Sequence, residues 1–206
     1  TYRLGNARYS SPSRYLSITR GCENFCTYCI VPYVRGAVRS KSADDVISDA
    51  RLLISSGAKE LTLLGQNVMA YDHTGTTFTG LLRRILDETG AERIRFLTTH
   101  PRDVVDGVFE LMAEDPRICP HLHLPFQAGS DEVLSRMNRG YTRSEYLAKI
   151  ARAREIKPDI AFSTDVIVGF PGETESDFQR TLDVVEAVRF DSAFTFKYSP
   201  REGTKA

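Results

Sequence analysis

The sequence predicts an α/β fold built on a parallel β-sheet. Six short apolar segments with strand character alternate along the chain with segments of helical periodicity, which is typical of consecutive strand–helix crossovers. Several of the strands are almost continuously apolar, as expected when both faces are covered. An open doubly wound sheet and a barrel both fit this pattern. Because a complete barrel needs eight strands, the count favours a (βα)6 partial TIM-type barrel with its functional groups at the carboxyl ends of the strands.

The first strand–helix unit surrounds a cysteine-rich loop. Residues 15–19 are predicted to form a short strand that runs into this loop. Ser42, with Asp45 three residues later, is suited to begin a helix, and Gly57 is suited to end it. Apolar residues at helical spacing define the buried face of this helix. They are Val46, Ile47, Ala50, Leu53 and Ile54.

The next two units repeat the pattern. A buried strand is predicted at 60–65, and a Gly/Thr-rich loop at 72–80 leads into the second helix. The third strand is predicted at 93–99 and the third helix at 104–113. The second helix has a regular apolar face. Its members are Phe78, Leu81, Leu82, Ile85 and Leu86.

The second half of the chain supplies the other three strands, which are predicted at 121–126, 160–168 and 193–198. Two helices, at 130–137 and 144–156, follow the first of these strands. Thr174 and Asp177 have the spacing of a helix cap, so a long helix begins there. We expect the apolar face of this helix at Phe178, Leu182 and Val185.

The composition is that of an ordinary globular protein. The chain has 206 residues, of which 41% are hydrophobic, and 27 basic residues balance 27 acidic ones. This excludes a disordered chain and a strongly basic wrapper of nucleic acid. No run approaches the roughly 18 apolar residues of a membrane helix, and the polar first 20 residues do not resemble a signal peptide, so we expect a cytoplasmic protein. Residues 1–41 carry seven basic residues and one acidic residue, a net charge of +6, which indicates either an anionic partner or a solvated basic segment.

Three of the four cysteines lie within eight residues of each other. Cys22, Cys26 and Cys29 form a C-x3-C-x2-C motif after the first predicted strand, whereas a disulfide framework is not expected in a long chain without a secretion signal. Three thiolates can bind a [4Fe–4S] cluster that keeps one open iron for a substrate or cofactor. The alternative is zinc, which usually takes four protein ligands and would use His121 or His123 as the fourth.

The cysteine loop, with the aromatic Tyr28 before its third cysteine, resembles that of the radical S-adenosylmethionine (SAM) superfamily. Other segments resemble the methylthiotransferases of that superfamily, and the resemblance covers residues 15–206. These segments are 20–36, 123–130, 137–141, 165–174 and 194–204. The run Leu-Gly-Gln-Asn-Val at 64–68 resembles the MiaB branch, which modifies tRNA, more than the branch that acts on a ribosomal protein.

The resemblance implies a division of a longer protein into domains. Residues 15–206 are expected to be the radical SAM core domain, and residues 1–14 a linker from an upstream domain that holds a second [4Fe–4S] cluster. A downstream RNA-binding TRAM domain is also typical of the family. Neither flanking domain is expected within these 206 residues.

The resemblance also implies an activity and its cofactors. Cys22, Cys26 and Cys29 are expected to bind three irons of the cluster, and SAM to chelate the fourth. The expected reaction is methylthiolation of C2 of N6-dimethylallyladenosine at position 37 of tRNA, through hydrogen abstraction by a 5′-deoxyadenosyl radical. No catalytic residue is expected beyond the cluster and SAM. The expected partners are this tRNA and a one-electron reductant such as flavodoxin or ferredoxin, for a monomer that does not bind a membrane.

Residues in the strand-end loops are candidates for contact with SAM. They are Tyr28, Gln66, Gln127, Ser130, Gly169 and Ser199. Polar side chains in turns also bond to their own backbone, so a purely local role is the alternative for the glutamines and serines. Phe25, Tyr28 and Tyr33 are candidates for stacking on an exposed base or for packing in the loop.

Two other functions compete with the tRNA-modifying enzyme. The first is a zinc-binding RNA-interaction module without catalysis, which iron and sulfide content would distinguish. The second is the same class of enzyme acting on a protein side chain, which the Gln66-Asn67 loop disfavours.

Overall fold

The computed structural model describes residues 11–206, and these contain ten strands and seven α-helices. The strands are β1 Ser13–Ser17, β2 Thr19–Arg20, β3 Arg39–Ser40, β4 Glu60–Leu64, β5 Asp72–His73, β6 Thr76–Thr77, β7 Arg93–Phe96, β8 His121–His123, β9 Ala161–Val168 and β10 Ser192–Lys197. The helices are α1 Val31–Arg35, α2 Ala43–Ser55, α3 Phe78–Glu88, α4 Asp106–Glu114, α5 Asp131–Arg136, α6 Arg143–Ile156 and α7 Glu175–Val188. Most of the predicted linker at 1–14 lies outside the described residues.

The six principal strands are parallel and adjacent in chain order. One sheet has the order β1-β4-β7 and a second has the order β8-β9-β10. A parallel bridge between Ile94 and Ile118 joins β7 to the segment that leads into β8, with the Cys119 amide donating to the Ile94 carbonyl at 3.0 Å. The strand order never reverses, as it would in a doubly wound sheet. The predicted (βα)6 partial barrel is therefore confirmed.

The helix ends confirm the predicted caps. The Ser42 side chain accepts from the Asp45 amide at 3.1 Å, and Gly57 follows α2 with φ of 99°. Thr174 and Asp177 form a reciprocal capping box at the start of α7. The predicted apolar face of α3 is wholly buried, and that of α2 is buried except for the half-buried Ile54. These helices pack in one hydrophobic core with the strands.

One predicted strand is displaced by two residues and two are shorter than expected. The first is interrupted at Ile18: β1 pairs with β4, whereas β2 pairs antiparallel with β3. The third ends at Phe96, because Thr98 turns to a φ of 61°. The fourth ends at His123. After β8 the chain still bonds to β9 through the amides of Leu124 and Gln127 before it enters the loop at the carboxyl edge.

The predicted buried face of α7 was wrong at Leu182, which is 38% exposed. The buried residues of this helix are Thr181, Val184 and Val188, together with Asp177 in the cap. Thr181 is buried because its hydroxyl accepts from the Gly129 amide at 2.9 Å. This polar anchor rotates the helix so that Leu182 faces outward, which apolar spacing alone does not reveal.

The edge strand β10 has all six of its residues exposed. Its large side chains Phe194 and Phe196 are 59% and 54% exposed. In the described part of the chain, no helix is long and apolar enough to cross a membrane.

Candidate functional site

The cysteine motif lies on the loop between β2 and α1. Cys26 is buried, whereas Cys22 and Cys29 are half-buried, and all three are free thiols. Burial raises the pKa of the Cys22 thiol, and the neighbouring sulfurs of Cys26 and Cys29 raise that pKa further. Burial likewise raises the pKa of the Cys29 thiol. The three sulfurs are therefore close enough to interact electrostatically.

The entrance to the loop requires a glycine. Gly21 has φ of 87°, and a Cβ at this position would lie 2.1 Å from the Ala37 carbonyl oxygen. The Gly21 amide donates to the Gln66 side-chain oxygen at 2.6 Å, and the Cys22 amide donates to the Gly36 carbonyl at 3.1 Å. The two ends of the loop are thus closed against each other and against the β4 end loop.

The segment after α5 holds the middle of the loop. The Asn138 side-chain amide donates to the Asn24 and Phe25 carbonyls at 3.1 and 3.0 Å. The Thr27 amide donates to the Met137 carbonyl at 3.0 Å. Asn138 itself has φ of 56°, a conformation that asparagine tolerates better than most residues. These bonds join two segments that are more than a hundred residues apart in the chain.

A buried arginine lies directly beneath the loop. Nη1 of Arg139 is 3.3 Å from Cys26 Sγ and 3.2 Å from the Tyr28 hydroxyl. Its Nη2 donates to the Pro125 carbonyl at 2.7 Å, and its Nε donates to the Tyr141 hydroxyl at 3.1 Å. Burial alone would lower the pKa of Arg139, but the two phenols and the Cys26 sulfur raise this pKa, so the side chain is a fixed positive charge.

A cavity of about 420 Å³ opens beside the cysteine loop, at the carboxyl ends of β9 and β10. Its wall combines apolar, polar and charged groups. They are Tyr28, Cys29, Ile30, Val31, Gln127, Asp165, Ile167, Phe196, Lys197, Tyr198, Ser199 and Arg201. A concave site next to a potential metal-ligand set is the expected place for a cofactor or substrate.

Gln127 is the most constrained residue of the cavity wall. It has φ of 69°, its amide donates to the Asp165 carbonyl, and its carbonyl accepts from the Ile167 amide, both at 2.9 Å. The side chain is 7% exposed, and its oxygen Oε1 is buried without a hydrogen-bond partner. Since such an atom is costly to leave unpaired, it is a candidate acceptor for a ligand in the cavity.

The two histidines of the zinc alternative lie elsewhere. His121 Nε2 and His123 Nδ1 are each 3.0 Å from the Ser163 hydroxyl. Within residues 11–206, no group of three or more histidine, cysteine or carboxylate side chains is arranged to hold a metal ion. A structural zinc site needs a fourth protein ligand, which these histidines do not supply, whereas three cysteines can hold a [4Fe–4S] cluster that keeps one open iron.

Comparison with known families decides the superfamily of this chain. The family model of the radical SAM superfamily matches residues 16–185. The chain belongs to the radical SAM superfamily. Membership of this superfamily assigns a [4Fe–4S] cluster and SAM as its cofactors. The expected fold and cofactor class are therefore confirmed.

The chain has close relatives among curated proteins. It is 53% identical over 195 residues to a tRNA-2-methylthio-N(6)-dimethylallyladenosine synthase of Acetivibrio thermocellus. It is 54% identical over 194 residues to the synthase of the same name of Syntrophobacter fumaroxidans. Both alignments cover 93% of this chain but only 41% and 42% of the relatives. The chain thus spans about two fifths of the length of the curated relatives that it matches.

Solved structures show the same radical SAM fold at low sequence identity. The methyltransferase TsrM from Kitasatospora setae, with cobalamin and a [4Fe–4S] cluster bound, matches 89% of this chain with a TM-score of 0.73 and 17% identity, over 36% of its own chain. The cobalamin-dependent SAM radical enzyme OxsB matches 84% with a TM-score of 0.65 and 14% identity, over 26% of its own chain. These likenesses concern the fold alone.

The cavity beside the cysteine loop contains only some of the predicted contact residues. Tyr28, Gln127 and Ser199 line the cavity, whereas Gln66, Ser130 and Gly169 are not among its lining residues. Gln66 bonds to Gly21, and the Gly169 amide bonds to the Glu173 carboxylate. Ser130 is fully buried, begins α5 and donates to Asp177 at 2.5 Å. These three residues form structural hydrogen bonds here, and their contact with SAM stays a prediction.

Several residues of the cavity and of the cysteine loop surroundings are not predicted by the sequence. Asp165, Lys197 and Arg201 line the cavity, and Arg139 touches Cys26. Asp165, Lys197 and Arg201 lie in segments that resemble the methylthiotransferases, but their spacing does not show which side chains face the cavity. Arg139 lies 113 residues from Cys26, so no local pattern connects them.

A buried histidine next to this site makes stability depend on pH. Burial, then the charges of Arg139 and Arg102, lower the pKa of His100 to about 2. An unfolded chain binds a proton at His100 below its ordinary pKa near 6.5, whereas the folded chain does not, so stability falls as the pH drops below about 6.5. Between pH 6.5 and 4.5, we expect the cluster-free wild type to lose about 2 kcal/mol more of its free energy of unfolding than His100→Asn.

Urea unfolding at the two pH values measures this difference. In the wild type, the Arg102 amide donates a hydrogen bond to His100 Nδ1 at 3.3 Å. The side-chain oxygen of asparagine can accept this bond in the variant. His73→Asn, at a half-buried position in β5, is the control and should retain the wild-type loss. Equal pH dependence of wild type and His100→Asn would contradict the burial of a neutral imidazole.

Proposed function

We propose that the chain is the catalytic core of a tRNA methylthiotransferase. The substrate is N6-dimethylallyladenosine at position 37 of tRNA, and the product carries a methylthio group at C2. The observation that carries this proposal is identity above 50% across 93% of the chain with synthases of that name. The cysteine loop and the adjoining cavity supply the machinery that such a reaction needs.

The three loop cysteines are the proposed cluster ligands. Cys22, Cys26 and Cys29 share one neighbourhood, are not in disulfides and leave one iron of a [4Fe–4S] cluster without a protein ligand. When bound, the cluster and SAM supply a 5′-deoxyadenosyl radical that removes the hydrogen from C2 of the adenine. A side-chain base cannot remove this hydrogen, because a ring C–H of adenine is not acidic enough.

The cavity wall is proposed to bind and orient SAM. Ile167 and Phe196 offer apolar surface for a flat adenine, and Gln127 offers an unpaired amide oxygen. Asp165 and Arg201 place a negative and a positive group on the same wall, which suits the zwitterionic methionyl part. Burial raises the pKa of Tyr28 well above its ordinary value, so its phenol stays neutral beside Cys29. The protein thus contributes binding and orientation, while the cofactors supply the difficult bond cleavage.

An exposed aromatic pair beside the cluster loop is the proposed contact for RNA bases. Phe25 and Tyr33 are 46% and 53% exposed and pack edge to face with ring centroids 5.9 Å apart. Aromatic rings stack on unpaired bases of any sequence, and each contact is worth about 1–3 kcal/mol. Basic residues near the loop, including Arg35 and Arg39, add sequence-independent attraction to phosphate.

The aromatic contact predicts a loss of tRNA affinity in the full-length protein. We expect Tyr33→Ala to weaken binding of the anticodon stem-loop about tenfold, from the loss of one stacking contact. Tyr15→Ala is the matched control, because Tyr15 is 70% exposed on β1 and should not contact RNA. Fluorescence anisotropy at fixed salt measures both affinities. Equal affinities of Tyr33→Ala and wild type would contradict the proposed contact.

The proposed partners follow from the same function. A one-electron reductant such as flavodoxin or ferredoxin supplies the electron, and a second [4Fe–4S] cluster, held outside these 206 residues, supplies the sulfur. A second SAM supplies the methyl group. We propose a monomeric cytoplasmic enzyme.

Nucleoside mass spectrometry tests the proposed function. The full-length protein, reconstituted anaerobically and reduced, should convert dimethylallylated tRNA to the 2-methylthio form in the presence of SAM. The same preparation should leave a ribosomal protein substrate unchanged. Modification of the protein substrate without modification of tRNA would assign the chain to the other substrate class, and zinc in place of iron would overturn the enzymatic function.

A further inference from the structure

Arg139 carries a buried positive charge that the proposed function leaves unexplained. Its side chain is 4% exposed, and in the described part of the chain no carboxylate forms an ion pair with it. Its hydrogen-bond partners are the sulfur of Cys26, two phenols and one carbonyl. A buried cation without an anionic partner is costly, so a compensating negative charge is expected nearby.

Cys26 is the partner that becomes an anion when the cluster assembles. The other partners are two phenols, whose ordinary pKa is about 10, and a carbonyl, so none of them is an anion at neutral pH. Iron binds the thiolate form of cysteine. Three thiolates give the cluster site a net negative charge, and one-electron reduction makes the site more negative. A fixed cation 3.3 Å from Cys26 Sγ therefore stabilises the reduced cluster more than the oxidised one.

We propose that Arg139 is a positioning residue for the cluster that acts through Cys26, orienting its sulfur and raising the reduction potential of the cluster. Net charge and hydrogen bonds to sulfur are general determinants of the potential of iron–sulfur clusters. The proposal rests on the proposed ligation of the cluster by the loop cysteines.

The geometry around Arg139 is rigid enough for this role. Its Nη2 and Nε bond to the Pro125 carbonyl and the Tyr141 hydroxyl, which fixes the plane of the guanidinium. The preceding Asn138 holds the backbone of the cysteine loop. The turn at 137–139 therefore has two effects. Asn138 holds the backbone of the cysteine loop, and Arg139 places a positive charge beside Cys26.

Redox titration of the reconstituted full-length protein tests the proposal. The signal of this cluster is identified by electron paramagnetic resonance as the signal that changes when SAM is added. In Arg139→Gln, we expect the ratio of reduced to oxidised cluster at a fixed potential to fall about tenfold, as the loss of one nearby charge predicts. A tenfold change corresponds to a potential about 59 mV more negative. Arg139→Lys keeps the charge and should stay within about threefold of the wild-type ratio.

Two controls separate the charge from the packing. Tyr141→Phe removes a hydrogen-bond partner of Arg139 at a site that is equally buried, and it leaves the positive charge in place. Arg143→Gln removes a positive charge at the start of α6, where the side chain pairs with Asp183. Arg143→Gln should retain the wild-type potential, whereas Tyr141→Phe, which removes one of the two bonds that fix the guanidinium, should lower the potential by less than Arg139→Gln does. A normal iron content with a wild-type potential in Arg139→Gln would overturn the proposal.

A measurement on the wild type keeps the proposal testable if Arg139→Gln does not fold. Protein labelled with ¹⁵N in its arginine guanidinium groups should show a ¹⁵N hyperfine coupling to the reduced cluster in pulsed electron paramagnetic resonance. The coupling should persist in Arg201→Gln, which removes the arginine that lines the cavity together with Cys29. No coupling in labelled wild type, or its loss in Arg201→Gln, would overturn the proposal.

Failure of this proposal can be distinguished from failure of the proposed function. A wild-type protein that assembles no SAM-responsive cluster would overturn both. A wild-type protein with a SAM-responsive cluster that lacks the nitrogen coupling would overturn the role of Arg139 alone.

Discussion

Replacing Cys26 by alanine is expected to abolish both cluster assembly and the formation of 5′-deoxyadenosine. The wild-type chain of 206 residues should take up about four irons under anaerobic reconstitution, as one [4Fe–4S] cluster requires. Cys26 is the buried member of the motif, and its sulfur is the one that contacts Arg139. Without it, two half-buried thiols remain, which is too few to hold a cluster that also keeps an open iron. Iron and sulfide analysis, with chromatography of the SAM products, measures the effect.

Cys119 provides the matched control for this experiment. It is also a buried free thiol, but it lies in the segment that pairs with β7, and burial raises the pKa of its thiol as well. Cys119→Ala should keep the wild-type iron content and yield of 5′-deoxyadenosine. Equal iron loss in the two variants would mean that the motif is not the ligand set.

Replacing Gly21 by alanine is expected to have the second largest effect, a loss of most of the cluster content. The added Cβ would lie 2.1 Å from the Ala37 carbonyl oxygen, a backbone atom that cannot rotate away. The entrance of the loop must then move, which breaks the bonds of the Gly21 and Cys22 amides to Gln66 and Gly36. We expect iron content to fall by more than half and the chain to be destabilised beyond the roughly 1–2 kcal/mol of a left-handed alanine.

Gly57→Ala is the control that separates the two costs of Gly21→Ala, which are the strain of a positive φ and the steric clash of the added Cβ. Gly57 has φ of 99° after α2, and a Cβ there would meet no atom within 4 Å. This variant should lose about 1–2 kcal/mol of its free energy of unfolding and keep its full iron content. Urea unfolding and iron analysis of both variants make the comparison. An unchanged iron content in Gly21→Ala would show that the loop does not need its present conformation to bind the cluster.

Local signals in the sequence predict most of the fold. The caps at Ser42 and Thr174 and the glycine stop at Gly57 depend on neighbours within a few residues, so their patterns identify the helix ends. The strand count predicts the partial barrel because the strands pair in chain order. The prediction that Leu182 lies on the buried face of α7 was wrong. A hydrogen bond between Thr181 and the distant Gly129 determines the rotation of this helix.

In the candidate site too, the sequence predicts some residues, whereas only the structure identifies the others. The cysteine motif is visible in the sequence because its members are close along the chain and share a chemistry. Arg139 and Gln127 are not recognisable in this way, since their roles come from contacts with segments far away in the chain. The left-handed φ of Gln127 is imposed by two backbone bonds to β9. Such conformations arise from tertiary pairing and have no signature in local spacing.

Transfer of deuterium from tRNA to SAM-derived product tests the central claim most directly. The full-length, reduced protein is supplied with SAM and with dimethylallylated tRNA that carries deuterium at C2 of adenine 37, and the 5′-deoxyadenosine is analysed by mass spectrometry. The account predicts one deuterium in the 5′-deoxyadenosine, together with 2-methylthio product. Formation of 5′-deoxyadenosine that never acquires deuterium, with the tRNA unchanged, would contradict it.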